Sequence, residues 1–335
     1  MNWFLSALIC VFGWGCADLF YKSGTDENDR FSHLKIAVWV GFVMGITAFL
    51  LMPLSESGLT PATIPRKALI YAPASLGYIV SMVIGYAGLR YLELSIVSPV
   101  QNASGALTVA VICIFYLVTG RAEKIGEAFG PLDIIGTLII IAGTVALAFA
   151  EQRSAQKETE GGAAAVSKAA EDLPAEERRQ KKYRTGALAL LFPVLYCVFD
   201  TLGTAADGII LDSGSGSGLG EFDVLILYGL TFLLAGIVCY AVLWIKEKRP
   251  YRMFAKKELP KAAAAVCEQF GQIFYVFAMA ANPLMAAPVV ASYCILSVIL
   301  SRLFLKEKPE KGQAVCVTAV IVGIVLLGIS EGLGA

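Results

Sequence analysis

The chain has 335 residues, of which 57% are hydrophobic and 16% are charged, and its mean hydropathy is +0.69. A soluble domain of this length would carry more charge, and the net charge of zero argues against nucleic acid as a partner. The composition therefore predicts an integral membrane protein whose main surroundings are the lipid bilayer.

Ten apolar stretches follow one another along the chain, each close to the roughly 20 residues that a helix needs to cross about 30 Å of hydrocarbon. In chain order they cover approximately residues 2–21, 34–54, 68–89, 94–118, 130–150, 185–208, 222–245, 260–281, 284–305 and 313–331. Helices are predicted because every backbone polar group must find a partner inside the membrane. No basic segment precedes the first stretch, so we predict a span there and not a cleaved signal peptide.

The two halves of the chain share a spacing that indicates an internal duplication. Tyr86 precedes Pro99 by 13 residues, and Tyr275 precedes Pro288 by the same 13. At the resulting shift of 189, four apolar residues recur as pairs: Val100 and Val289, Leu107 and Leu296, Val109 and Val298, Phe115 and Phe304. Five spans per half place the halves in opposite orientations, so the predicted fold is an all-α integral membrane protein with ten transmembrane helices as two inverted five-helix repeats.

Residues 151–184 are charged and contain few large apolar side chains, which predicts a solvated linker. The linker separates a first five-helix repeat, residues 1–150, from a second five-helix repeat, residues 185–335. A second segment, 213–220, is flexible by composition. Of the 27 Lys and Arg residues, 23 lie in the odd-numbered loops, including the linker, and four lie in the even-numbered loops. The positive-inside rule then places the odd loops in the cytoplasm and both termini outside.

Acidic residues inside predicted spans are the first candidates for a binding site, because a charge in a membrane helix is expensive. Asp18 lies in the first span and Asp200 in the sixth, which are equivalent in a five-plus-five duplication. Trp14 precedes the first acid by four residues and Tyr196 precedes the second by four, so each half offers an aromatic ring and a carboxylate on one helix face. The alternative is that these acids only support packing, and Lys22 is suitably spaced to pair with Asp18.

Further polar residues share helix faces in the sixth and eighth spans. Thr204 and Asp207 continue the face of the acid at position 200, and Asp207 is expected to reach water because it lies near the predicted end of the span. Glu268, Gln272 and Tyr275 are spaced i, i+4, i+7 and should face a wet cavity. The alternative for Glu268 is a hydrated position at the helix entrance.

Proline residues interrupt the fourth and ninth spans, and polar side chains lie beside them. Pro99 and Pro288 each remove a backbone donor, which loosens the helix and makes a hinge there. The polar neighbours are Ser98, Gln101, Asn102 and Ser104 in the fourth span and Ser292 and Tyr293 in the ninth. The alternative is a kink that serves packing alone.

Several other classes of protein are disfavoured. All eight cysteines lie within predicted spans and are interpreted as packing residues. One loop histidine, His33, does not make a metal site, and we expect neither a metal nor a cofactor. No Walker motif and no clustered catalytic set are present in the sequence, so we expect neither ATP-driven transport from this chain alone nor an enzyme.

The chain resembles the drug/metabolite transporter superfamily and, within it, the EamA-type ten-helix carriers. The resemblance rests on the ten spans, the doubled unit, the segment WGCADLFYK at 14–22, and the segment FLKEKPEKGQ at 304–313. Glu307 stands where the family has the glutamate of a leucine–x–glutamate turn, whereas the first half carries a longer segment with Glu123 displaced. The resemblance implies a central cavity lined by spans such as the first, third, fourth, sixth, eighth and ninth, and it implies alternating access without ATP.

We therefore expect a secondary active transporter that moves a small polar metabolite, coupled to protons, in the cell (inner or plasma) membrane. Asp18, Asp200 and Glu268 would bind a proton or a cationic group, and the cavity wall would comprise Trp14, Tyr86, Tyr275 and Tyr293. Two alternatives stay open at this point: an uncoupled uniporter or exchanger, and a membrane scaffold that binds a partner through residues 151–184. The substrate, the direction of transport and the oligomeric state are left open.

Overall fold

A computed structural model describes residues 2–26, 28–169, 189, 191–212, 216–306 and 312–334, with only the backbone described for 151–169, 313 and 334. The described part of the chain contains ten helices that are long and apolar enough to cross a membrane, which confirms the ten predicted spans. They are α1 Trp3–Gly24, α2 Ser32–Leu51, α3 Ile64–Gly88, α4 Leu94–Val118, α5 Pro131–Ala169, α6 Leu191–Leu211, α7 Glu221–Glu247, α8 Leu259–Ala281, α9 Pro283–Leu305 and α10 Gln313–Gly334.

Burial differs widely among the helices and identifies which of them surround the centre. In α9, 83% of the most apolar window is buried, whereas the corresponding value for α10 is 17%. Large apolar side chains such as Leu50 and Val118 are 72% and 81% exposed on the outer surface. Such a surface is stable in contact with lipid and not with water, so α9 crosses the interior of the bundle and α10 lies at its periphery.

The helices of the first half pack mainly against helices of the second. The principal pairs are α1 with α8, α3 with α6, α2 with α7, α4 with α9 and α5 with α10. If each helix is exchanged for its counterpart five positions along the chain, this set of pairs is reproduced. The packing is therefore compatible with two equivalent five-helix repeats.

Glycines allow the closest of these approaches. A Cβ atom on Gly13 in α1 would lie 2.9 Å from the Cα atom of Gly271 in α8, and one on Gly77 in α3 would lie 2.9 Å from the Cα atom of Gly203 in α6. Small residues permit backbones to approach in this way in membrane proteins. The two equivalent interfaces α1–α8 and α3–α6 thus use the same kind of contact.

Odd-numbered loops meet at one end of the bundle. Lys22, at the end of α1, donates hydrogen bonds of 2.8 and 2.9 Å to the carbonyl oxygens of Leu89 and Leu92 in the α3–α4 loop. Lys35, at the start of α2, forms 2.7 Å ion pairs with Asp29 and with Glu247 at the end of α7. These contacts fasten the α1–α2, α3–α4 and α7–α8 connections to one another.

Even-numbered loops meet at the opposite end. Glu56, in the α2–α3 loop, accepts hydrogen bonds from the backbone amides of Phe222 and Asp223 at the start of α7. Lys124 and Arg121, in the α4–α5 loop, form ion pairs with Asp212 at the end of α6. Successive helices therefore alternate in direction through the bundle, as spans of a membrane protein must.

Two segments differ from the expected boundaries. The fifth helix continues to Ala169, so the first part of the predicted linker is helical, while 170–184 lie outside the described residues. The sixth helix, Leu191–Leu211, ends later than the predicted residue 208, while 185–188 and 190 lie outside the described residues. Glu307 and residues 213–215 also lie outside the described residues.

Candidate functional site

A central cavity lies between the two halves and is lined by residues of α1, α3, α4, α6, α7, α8 and α9. The space between the lining side chains, including the part open to solvent, is about 760 Å³. All of the binding residues predicted from the sequence except Ser292 line it: Trp14, Asp18, Tyr86, Gln101, Asn102, Asp200, Thr204, Glu268, Gln272, Tyr275 and Tyr293. The structure thus brings these predicted residues together, although their roles stay predictions.

The two equivalent aspartates are fastened to the interrupted helices. The Asp18 carboxylate accepts hydrogen bonds of 2.6 Å from Ser98 Oγ in α4 and 2.7 Å from Ser297 Oγ in α9. The Asp200 carboxylate accepts a 2.6 Å hydrogen bond from Ser104 Oγ in α4. The spacing suggested an ion pair between Asp18 and Lys22, but Asp18 bonds to these serines instead.

Glu268 differs from both aspartates because its carboxylate accepts no hydrogen bond from the described part of the chain. Among the described residues no side-chain hydrogen bond or ion pair reaches it, although its side chain lines the cavity and the residue is only 7% exposed. It lies about two and a half turns after Leu259, where α8 begins. Glu268 therefore does not lie at the helix entrance, since nine residues of helix precede it.

Amide side chains add unpaired polar groups to the same cavity. Gln272, one turn after Glu268, is 1% exposed, and neither its Oε1 nor its Nε2 has a hydrogen-bond partner among the described residues. The Nε2 of Gln101 is also buried without such a partner. Asn102 is satisfied differently, since its Nδ2 donates a 2.8 Å hydrogen bond to the carbonyl oxygen of Ser98. A buried amide without a partner is unfavourable, so the glutamines are suited to meet a polar ligand.

Aromatic rings form much of the remaining wall. The Trp14 ring stacks on Tyr275 with ring centroids 5.1 Å apart and meets the edge of Tyr293 at 5.6 Å. Its Nε1 donates a 3.2 Å hydrogen bond to the carbonyl oxygen of Glu268, which fixes the indole beside that residue. Tyr21 and Tyr86 stand together towards the end where the odd loops meet, with hydroxyl groups 3.2 Å apart.

Four of the lining tyrosines were absent from the predicted site residues. They are Tyr21, Tyr78, Tyr196 and Tyr228. A helical-face signal existed for three of them, because Tyr196 precedes Asp200 by four residues, Tyr21 follows Trp14 by seven and Tyr78 precedes Tyr86 by eight. Tyr228 has no comparable partner in its own helix, and only the packing of α7 against α2 and α3 brings it to the cavity.

Asp207 is the residue for which the prediction was wrong. It was expected to reach water near the end of its span, but it is fully buried and does not line the cavity. The helix continues to Leu211, and Asp207 is covered by α3 and α8, whose residues Tyr71, Tyr78 and Tyr275 lie beside its carboxyl group. The hydroxyl groups of Tyr78 and Tyr275 contact each other between it and the cavity.

Both proline-containing helices are interrupted four residues after the proline. The first segment of α4 ends at Asn102 and the second begins at Ser104, while in α9 the segments meet at Ser292. Ser292 serves this break, because its Oγ donates a 2.5 Å hydrogen bond to the carbonyl oxygen of Val289 and it does not line the cavity. The interruptions therefore occupy corresponding places in the two halves.

The electrostatic character of the cavity is acidic. Three carboxyl groups line it, and none of the described lining residues is Lys, Arg or His. Within the described ranges, no group of His, Cys, Asp or Glu is arranged to hold a metal ion. Such a cavity can bind protons or a cation, and its hydroxyl and amide groups can hydrogen-bond a polar solute.

Comparison with known proteins bears on the family and the fold of the chain. The family model of EamA-like transporters matches residues 211–329, which confirms the resemblance predicted from the sequence. The matched family is one of membrane transporters, and the ten apolar helices agree with a multi-pass membrane protein. Among solved structures, a chain titled only "Crystal structure of protein" is similar with a TM-score of 0.59 and 14% identity, covering 98% of this chain and 97% of that chain. At this identity the similarity shows the fold alone. No curated protein matches the sequence.

Proposed function

We propose that the protein is a secondary active transporter that carries a small polar metabolite through the central cavity by alternating access, coupled to protons. The observation that carries the proposal is the acid-lined cavity between two sets of five helices that pack reciprocally. Binding sites of secondary transporters typically lie near the membrane midplane, at the interface of inverted repeats and beside interrupted helices. We take residues 1–150 and 185–335 as these repeats.

Alternating access requires a barrier on each side of the cargo, and tyrosine pairs are candidates for both. Tyr21 and Tyr86 contact each other towards the odd-loop end, and Tyr78 and Tyr275 contact each other towards the even-loop end. Each pair joins residues of two different helices. Separation of one pair while the other stays closed would expose the cavity to one side at a time.

The interrupted helices supply a route for coupling cargo to helix movement. Ser98 lies before the break in α4 and Ser104 lies after it, and they bind Asp18 and Asp200 respectively. Protonation removes the charge that strengthens these hydrogen bonds. A change in protonation would then loosen α1 and α6 from the hinge of α4, with Pro99 as the flexible point.

The cost of charge in this cavity supports the proposed proton coupling. A buried carboxylate without a cationic partner is disfavoured, and neighbouring carboxylates disfavour one another further. Three such groups therefore cannot all remain ionised in the empty cavity without large cost. Uptake and release of protons with each transport cycle would relieve that cost.

The test is transport by the purified protein in proteoliposomes with a pH dye inside. A panel of amino acids, amines, sugars and nucleotides is applied, after a screen for thermal stabilisation at two pH values. We expect a cargo whose flux moves protons, and we expect Asp200→Asn to fold but to lose that coupling. Asp133→Asn, outside the cavity, serves as the matched control and should behave as wild type.

Other outcomes would contradict the proposal. Full proton-coupled flux in Asp200→Asn would exclude this carboxyl group as a coupling site. Flux without any pH dependence would indicate an uncoupled uniporter or exchanger. Loss of function on deletion of residues 151–184, where a shortened linker of sufficient reach also fails, would favour a scaffold.

A further inference from the structure

We propose that the cargo is a monovalent organic cation, with Glu268 as the counter-charge and the surrounding rings as its apolar wall. This inference rests on the proposed function, because it names the class of solute that the same cavity carries. It is supported by three independent features of the lining, which are its charge, its rings and its unpaired amides.

The charge of the lining selects against other classes of solute. Three carboxyl groups face the cavity, and no described lining residue can supply a positive charge. An anionic solute would meet like charges without a compensating partner, which is unfavourable among largely buried side chains. A neutral solute would leave the carboxyl groups without a positively charged partner, whereas a cation would supply one.

Glu268 is the acid best placed to receive that cation. Asp18 accepts hydrogen bonds from the hydroxyl groups of two serines, and Asp200 accepts a hydrogen bond from one serine hydroxyl. Glu268 has no donor among the described residues, its side chain lines the cavity, and the residue is 7% exposed. The carboxylate oxygens of Glu268 can therefore accept hydrogen bonds from a ligand or pair with its positive charge.

The rings beside Glu268 are suited to the alkyl groups of an ammonium ion. The Trp14 indole donates a hydrogen bond to the backbone of Glu268 and stacks on Tyr275, and it makes a T-shaped contact with Tyr293. A cation within about 6 Å of an aromatic face is attracted by the ring quadrupole, most strongly for tryptophan. The same wall gives apolar contact to methyl or methylene groups.

The amides indicate a cargo that also carries a polar group. Gln272 lies one turn from Glu268 and has both amide atoms unpaired, and Gln101 offers a free Nε2. These groups can hydrogen-bond a hydroxyl or carbonyl at a second position of the ligand. The preferred cargo is thus an amine or quaternary ammonium with a polar end, not a bare alkyl cation.

The experiment measures binding by isothermal titration to the full-length protein at one fixed pH. Choline is the probe because 3,3-dimethylbutan-1-ol and 3,3-dimethylbutanoate are its neutral counterpart and an anion of similar shape. Benzyltrimethylammonium is a second cation with a larger apolar part. We expect at least one of the two cations to bind, with at least about tenfold higher affinity than the neutral and anionic compounds.

Variants identify the residue that holds the charge. Glu268→Gln should weaken binding of the cation at least about tenfold and leave binding of the alcohol unchanged. Glu268→Asp keeps the charge and should retain part of the affinity, and Glu123→Gln, exposed in the α4–α5 loop and outside the cavity, should match wild type. If Glu268→Gln does not fold, the selectivity of the wild-type protein among the four compounds still decides the inference.

The outcomes separate the inference from the proposed function. Equal binding of cation and alcohol, no binding of either cation, or an unchanged affinity in Glu268→Gln would overturn the cation inference. Flux of a neutral or anionic solute without cation binding would also overturn it, while the proposed transporter stands. Selective cation binding without flux of any solute in proteoliposomes would support the cation site and overturn the transporter.

Discussion

At the residue scale, the position of Trp14 depends on the absence of a side chain at Gly271. A Cβ atom there would lie 2.3 Å from Trp14 Cδ1 and 2.7 Å from its Nε1. We expect Gly271→Ala to displace the indole from its stacking on Tyr275. Overpacking of this kind destabilises by roughly 1–3 kcal/mol, so the thermal unfolding midpoint should fall.

Gly332→Ala is the matched control, because nothing lies within 4 Å of the Cβ position there and the residue is in a helix. Its midpoint should be unchanged or slightly higher, since alanine favours a helix by up to about 1 kcal/mol. The same loss of stability in both variants would contradict a specific contact between Trp14 and Gly271.

The acids of the cavity could be predicted from sequence because a charge inside a membrane helix is costly and usually faces a cavity or the interior of the bundle. Tyr78 and Tyr228 could not be recognised in the same way, because tyrosine is common in membrane helices and its position depends on which helix packs beside it. Asp207 shows the limit of reasoning by sequence position. Asp207 was predicted to reach water because it lies near the end of its span, but tyrosines of α3 and α8 cover it.

At the element scale, α9 is predicted to bend at the turn that follows Pro288. In Pro288→Ala the backbone donor at position 288 is restored and can bond to the carbonyl oxygen of Leu284, which stiffens the turn before the break at Ser292. We expect slower amide hydrogen exchange at residues 289–293 and slower transport, with no loss of thermal stability. Pro283→Ala is the control, because Pro283 occupies the first turn of α9, where no helical hydrogen bond is missing. Equal effects in both variants would contradict a hinge at Pro288.

A second element-scale prediction concerns the α1–α2 loop, which Asp29 ties to Lys35. Burial alone would raise the pKa of the Asp29 carboxyl group, but the hydrogen bond and charge of Lys35 outweigh it and hold the pKa below its usual range. The folded pKa is thus lower than the unfolded value of about 3.9. This pair contributes stability above the unfolded pKa and loses it as the pH falls through the folded pKa.

Asp29→Asn should therefore lower the stability at pH 7, and the difference from wild type should shrink towards zero below about pH 3. Because the Asp29 side chain is 23% exposed, we expect a difference of only about 1 kcal/mol. Thermal midpoints between pH 3 and pH 7 measure this, and a difference that persists at pH 3 would contradict the linkage.

At the scale of the whole molecule, the duplication was visible in the sequence but the helix partners were not. The interval between Tyr86 and Pro99 recurs in the second half, and both prolines lie beside interruptions at corresponding places. No repeated interval in the sequence indicates that α1 packs against α8 or that α3 packs against α6. Membrane helices are apolar on most faces, so periodicity does not identify a partner, and close approach at glycines decides it.

The distribution of positive charge over the whole molecule predicts its orientation. The odd-numbered loops and the linker hold 23 of the 27 Lys and Arg residues, and the odd loops α1–α2, α3–α4 and α7–α8 meet at one end of the bundle. The positive-inside rule places that end in the cytoplasm. Both chain termini should then lie outside, where the side chains of Asn2 and Trp3 bond to Glu331.

Cysteine labelling in intact cells tests this orientation. In a background with the eight native cysteines replaced by serine, Glu123→Cys marks an even loop and Arg249→Cys marks an odd loop, and both positions are at the surface. A membrane-impermeant maleimide should label Glu123→Cys in intact cells and Arg249→Cys only after permeabilisation. The reverse pattern would place the basic loops outside and contradict the prediction, and labelling of both sites in intact cells would indicate two orientations. Because the ten helices alternate in direction, one labelled site in each set of loops determines the side of every other loop.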